Sequence, residues 1–216
     1  MDSNFLFQLQ KRLADGPLPG RDAQFRMAHL SRRIFESANF QVPENPKIAA
    51  VVCLFFLKNG AWHLLLIERT SSNPNDRHSG QISFPGGKMD ETDASLEAAA
   101  LRELEEEIGI SPQNALILGR LTELFIPVSG FLVHPFVAVL NENPAEKTGW
   151  QPQPSEVETI LEVPLAWLQS PASRQTKDLV VGNGMTWKDV PFFEVEGRTV
   201  WGATAMILSE LLELIG

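Results

Sequence analysis

Residues 86–110 read GGKMDETDASLEAAALRELEEEIGI, and the acidic end of that stretch needs a chemical reason. Glu103, Glu105, Glu106 and Glu107 crowd the last two turns of a predicted helix. A helix C-terminus is partly negative, so each acid there costs from a few tenths to about 1 kcal/mol. Glu103 and Glu107 also repel each other at i,i+4, and Arg102 alone offers local relief. At about 100° per residue, Glu103, Glu106 and Glu107 share a sector roughly 100° wide, while Glu105 points the other way. Ala100, Leu101, Leu104 and Ile108 form the opposing apolar stripe, which must face a core. Three carboxylates on an anchored helix suit a hard divalent cation, Mg²⁺ or Mn²⁺, that keeps waters for substrate phosphates to replace. Arg102 lies beside Glu106 on the wheel and is placed to hold a carboxylate by a bidentate contact.

Directly upstream, FPGGK brings Gly86, Gly87 and Lys88 into the helix entrance. A glycine turn lets backbone come close to phosphates. A run of glutamates is often only a solvated face. Badly placed acids together with the glycine turn point instead to a metal-dependent phosphate site.

The elements that must position these residues follow from pattern. Residues 2–15 have apolar positions at helical spacing and are stopped by GPLPG; a second helix is expected over 23–35. Residues 41–46 read as a linker into a strand at 47–58, followed by an Asn59-Gly60 hairpin turn and a returning strand at 62–68. The polar loop TSSNPNDRHSG leads to a short strand in GQISFPGGK. The acidic helix is expected over 94–108, with Gly109 as its terminating glycine. Further strands are expected at 116–124, 132–140 and 159–164, with a polar loop over 141–154 and a helical turn at 165–169. A hairpin turns around Glu196-Gly197 between 190–194 and 199–201, and a last helix covers 202–214. The order is mixed α/β without regular βαβ alternation.

The chain has 216 residues, 44% of them hydrophobic, and a net charge of −9. That charge argues against a nucleic acid polymer as partner, while a small anion arriving with a divalent cation remains compatible. The single cysteine, Cys53, excludes an intramolecular disulfide and reads as a buried, inert thiol. No signal-peptide pattern opens the chain, and the apolar run at 48–57 is too short for the ~20 residues of a membrane span. A cytoplasmic protein without a membrane partner is the expectation.

The pattern G-x5-D-x8-R-E-L-x-E-E-x-G-I over residues 87–110 resembles the Nudix box, usually written G-x5-E-x7-R-E-U-x-E-E-x-G-U with U aliphatic. Arg102, Glu103, Leu104, Glu106, Glu107, Gly109 and Ile110 match, whereas Asp93 stands where glutamate is usual and one extra residue separates it from Arg102. The resemblance implies an α/β/α sandwich around a mixed sheet and hydrolysis of a nucleoside diphosphate linked to another moiety. It also implies Mg²⁺ or Mn²⁺ on Glu103, Glu106 and Glu107, glutamates oriented by Arg102, and in-line attack by a metal-bound water.

Residues 64–88, LLLIERTSSNPNDRHSGQISFPGGK, resemble the segment before the box in coenzyme A pyrophosphatases. PVSGFLVHP, EVPLAWL and VPFFEVEGRTVWGATAMIL look like later segments of that subfamily. The implied reaction cleaves coenzyme A or its acyl esters to 3′,5′-ADP and (acyl-)4′-phosphopantetheine. ADP-ribose, NADH or a modified nucleoside triphosphate are the alternatives, and a non-catalytic nucleotide-sensing domain is a further one. Arg69, Arg77 and His78 are the basic groups that would meet a 3′-phosphate, although Asp76 stands where the family carries arginine. Glu156 and Glu158 are the candidate general bases, and His134 reads as structural. Residues 1–45 are read as an N-terminal helical extension to a Nudix domain over 46–216. The extension would cover the site or build a homodimer.

Overall fold

The computed structural model describes residues 3–37, 41–70, 80–141, 149–181 and 184–216. Three helices come first, α1 (Ser3–Asp15), α2 (Gly20–Phe25) and α3 (Leu30–Ser37). β1 (Lys47–Lys58) and β2 (Ala61–Arg69) form a hairpin through Asn59 and Gly60, at φ 51° and 77°. Short strands β3 (Ile82–Ser83) and β4 (Gly86–Lys88) lead to helix α4 (Leu96–Ile108). β5 (Ala115–Arg120), β6 (Leu124–Ile126), β7 (Phe131–Leu140) and β8 (Val157–Pro164) complete the main sheet. After α5 (Leu165–Gln169) come β9 (Arg174–Val180), β10 (Thr186–Val195), β11 (Arg198–Val200) and the final helix α6 (Gly202–Ile215).

β1 is the spine. It pairs antiparallel with β2 and β4 and parallel with β7, which makes the sheet mixed. Its Cys53 and Phe55 face a core shared with Leu9 of α1 and with Leu208 and Leu211 of α6. Val52, Leu54 and Phe56 face a second core shared with Ala100, Leu104 and Ile108 of α4. A strand buried on both faces must be apolar at successive positions, so the run at 48–57 shows no alternation. Helices on both sides of that sheet make the α/β/α sandwich. Burial pushes the Cys53 thiol well above its ordinary range, with Glu210 adding to the shift. Among the described residues no helix is long and apolar enough to cross a membrane.

Four elements differ from the sequence expectation, each for a tertiary reason; the glycine turn expected at 86–87 is instead strand β4, paired antiparallel with β1. The helix expected over 23–35 is broken between α2 and α3, where the His29 ring stacks on Trp187 of β10 and accepts the Ser31 N–H. The strand expected over 116–124 is interrupted because the Thr122 N–H donates to the buried Glu210 carboxylate of α6 rather than to a neighbouring strand. β9 was not anticipated. It is largely exposed and joins β10 in a second, three-stranded sheet, so it lacks the alternation that marks a half-buried strand.

Candidate active site

Helix α4 is fixed at both ends by local caps. The Ser95 side chain accepts the Ala98 N–H at 3.1 Å, a regular N-cap, and Gly109 closes the helix at φ 72°. Ala99, Ala100, Leu104 and Ile108 bury its apolar side, with Leu101 partly covered. The acids opposite differ in depth, which the helical wheel does not reveal. The Glu106 side chain is 54% exposed, that of Glu103 14% and that of Glu107 only 1%. Glu105 points to solvent.

Glu107 reaches the sheet. Its Oε2 accepts the Gly86 N–H at 2.8 Å and its Oε1 accepts Arg69 Nη1 at 3.1 Å. Burial still pushes its pKa up to about 7, against the opposing pull of Gly86 and Arg69, and the charges of Glu103 and Glu156 add to the rise. Glu103 is raised as well, first by burial, with Glu106 and Glu156 contributing against Arg102. Gly86 is sterically required, and a side chain at Gly87 would push against the Glu103 carboxylate. A Cβ on Gly86 would lie 2.3 Å from the Ala50 carbonyl oxygen, and one on Gly87 would lie 2.5 Å from the Glu103 carboxylate.

Arg102 holds the rest of the box together. Its Nε and Nη2 grip the two Asp93 oxygens at 3.0 Å each, and Nη1 donates to Glu103 at 2.9 Å and Glu106 at 2.7 Å. Nη2 also donates to the Lys88 carbonyl at 3.1 Å. The bidentate partner is therefore Asp93, whose hydrogen bonds from Arg102 hold its carboxyl below the usual range. The extra residue between Asp93 and Arg102 is absorbed in a turn, where the Asp90 N–H donates to Asp93 Oδ2 at 2.8 Å.

Other expected residues fall on different parts of the molecule. Glu156 is held by its backbone, its carbonyl accepting the Thr70 N–H at 2.9 Å just beyond Arg69. Its charge is felt at both Glu103 and Glu107, whereas Glu158 stands exposed on β8. Of the expected substrate-binding groups, Arg69, Gly86 and Gly87 close on the box glutamates. Lys88 uses its carbonyl there and leaves its side chain exposed. Asp76, Arg77 and His78 lie outside the described residues.

Among the described residues, no three acidic, histidine or cysteine side chains converge as a preformed metal cage. Arginines stand between the carboxylates instead. The donor set nevertheless fits a hard divalent cation. It is all oxygen, it comes from one rigid helix, and Glu103 and Glu107 hold like charge in a buried space that a cation would relieve. A buried hydroxyl, Ser83 Oγ, has no hydrogen-bond partner among the described residues. Sequence reasoning passed over Ser83, whose one signal is a polar residue between Ile82 and Phe84 in a two-residue strand.

Comparison with known proteins identifies the family. The NUDIX domain model matches residues 46–181. Proteins called "Uncharacterized Nudix hydrolase NudL" from Salmonella paratyphi B and Salmonella newport are each 39% identical over 145 residues, 65% of this chain and 69% of theirs. Among solved structures, the NUDIX domain of Shewanella oneidensis NrtR complexed with ADP ribose is 24% identical, with TM-score 0.46, over 64% of this chain and 87% of that one. The C. elegans Ap4A hydrolase binary complex is 21% identical, with TM-score 0.44, over 56% and 81%. With the family model spanning more than half its length, and relatives of this identity beside it, the chain belongs to the NUDIX domain family.

Proposed function

We infer that this protein hydrolyses the pyrophosphate bond of coenzyme A or its acyl esters, giving 3′,5′-ADP and (acyl-)4′-phosphopantetheine, in the cytoplasm. Pyrophosphohydrolysis is the coarser part of that reading, and family membership carries it. The finer part is supported by one observation. The segment resembling coenzyme A pyrophosphatases meets the box helix at both its ends, Arg69 and Gly86 on Glu107, and Gly87 against Glu103.

In this reading Glu103, Glu106 and Glu107 would hold Mg²⁺ or Mn²⁺. A bound cation of this kind neutralises pyrophosphate charge and lowers the pKa of a coordinated water. Arg102 keeps Glu103 and Glu106 oriented while Asp93 keeps Arg102 in place. Gly86 and Gly87 lie in strand β4, where the lack of side chains lets the backbone pack against Glu107 and Glu103. Glu156, on the loop before β8 with its carbonyl accepting the Thr70 N–H next to Arg69, would accept the proton of the attacking water. Arg69 is the basic group of the 64–88 segment that reaches the box, through Glu107.

The test is a mass-spectrometric product screen with Mg²⁺ and then Mn²⁺ on coenzyme A, acetyl-coenzyme A, NADH, ADP-ribose and 8-oxo-dGTP. Release of 3′,5′-ADP from the coenzyme A compounds is expected. Cleavage of another substrate alone would keep the pyrophosphatase and discard coenzyme A, and a folded, metal-binding protein silent on all five would discard the enzyme reading.

A further inference from the structure

Among the described residues the buried hydroxyl of Ser83 has no hydrogen-bond partner. It pairs with Ile67 of β2, which faces the core under α4, while its neighbours Ile82 and Phe84 face the opposite core. Alternation along the strand therefore turns Ser83 toward α4. Two positions beyond Ile67, Arg69 reaches Glu107 Oε1, and three residues beyond Ser83, Gly86 donates its N–H to Glu107 Oε2. Ser83 thus stands on the α4-facing side of the sheet, flanked along the chain by Gln81, whose carbonyl accepts the Arg69 N–H, and by Gly86. Its Oγ is buried, and it makes no hydrogen bond to the described residues.

An unpaired buried hydroxyl weakens a fold, so one that persists calls for a role in another state of the molecule. Glu107 has such a second state, on the reading that it is a metal ligand. A divalent cation at Glu107 would repel the Arg69 guanidinium now bound to the same carboxylate, and the carboxylate would lose that hydrogen bond. We propose that Ser83 is a positioning residue for Glu107, its hydroxyl donating to the carboxylate in place of Arg69 when a divalent cation is bound. The Gly86 N–H stays on the other oxygen, so the carboxylate remains fixed by two donors in both states. The orphaned hydroxyl of the resting site is the partner of the loaded one.

The experiment measures Mn²⁺ binding to the full chain by the electron paramagnetic resonance of free Mn²⁺, beside metal-free melting temperature. Ser83→Ala is expected to bind Mn²⁺ about 10-fold more weakly than wild type and to melt, without metal, no lower than wild type. In a Glu107→Gln background the same substitution should change Mn²⁺ affinity no further, because Ser83 acts through Glu107. Unchanged Mn²⁺ affinity in Ser83→Ala would overturn the proposal. So would a metal-free melting temperature well below wild type, or a full additional loss in the Glu107→Gln background. If Glu107→Gln itself bound Mn²⁺ like wild type, the metal-ligand reading would fail instead.

Discussion

Glu107 at the end of α4 and Glu210 in α6 are both buried glutamates on core-facing helices, yet they sit in opposite company. Glu210 accepts from three neutral donors, the Gly20 N–H at 3.1 Å, the Thr122 N–H at 3.1 Å and Gln24 Nε2 at 2.8 Å. It ties α2 and the β5–β6 connection to α6. Glu107 has one neutral donor and one arginine, and two further acids act on it. Burial alone therefore does not mark a functional acid. The informative difference is that one carboxylate is satisfied by the resting fold, while the other is crowded with like charge that a cation would relieve.

Substitutions separate the two. Glu107→Gln should lower turnover about 10³-fold, the upper range for removing a group aimed at transition-state charge, and should raise metal-free stability. Steady-state kinetics beside thermal unfolding would check both. Glu156→Gln should lower kcat by about 10²-fold with metal affinity retained, and Glu158→Gln should cost far less. Equal losses at both positions would remove the assignment of the base.

The pH dependence sharpens the contrast. The Glu107 pKa is raised from 4.5 to about 7 by burial. Between those values the unfolded chain has released this proton and the folded chain retains it. Metal-free stability should therefore fall as pH rises through that window, by at most about 1.4 kcal/mol per pH unit from this group. This group's share of the slope should be lost in Glu107→Gln, so that the variant's stability falls less than the wild type's between pH 5 and 7 by denaturant unfolding. Glu210→Gln gives the smallest effect on chemistry. It should leave kcat in place and cost about 1–3 kcal/mol of stability, because it disturbs a buried set of hydrogen bonds. A melting temperature lower by several degrees at unchanged turnover is the expected result.

Much of this was legible in the sequence because it rests on local rules. The cap at Gly109, the turn at Asn59-Gly60 and the doubly buried run of β1 each follow from residues close in the chain. The box was legible as a face of acids, but its depth was not. A wheel gives angle, and it is the sheet beneath α4 that makes Glu107 buried and leaves Glu106 half out. The Asp93–Arg102 pair survived a one-residue shift because a turn absorbed it. Glu210 and Ser83 gave little signal, since their partners, or lack of them, come from residues far away in sequence. The break between α2 and α3 likewise depends on Trp187, more than a hundred residues on.

The central claim is that the acids of α4 are placed for a cation rather than for the resting fold. Thermal unfolding of wild type and Glu107→Gln, each with and without Mg²⁺, tests it most directly. Without metal the variant should melt higher. With Mg²⁺ at about 100 times its Kd the wild type should gain about 5–10 °C, and the variant clearly less, so that the order of the two narrows or reverses. Equal gains in both proteins, or a variant that melts lower without metal, would contradict the account.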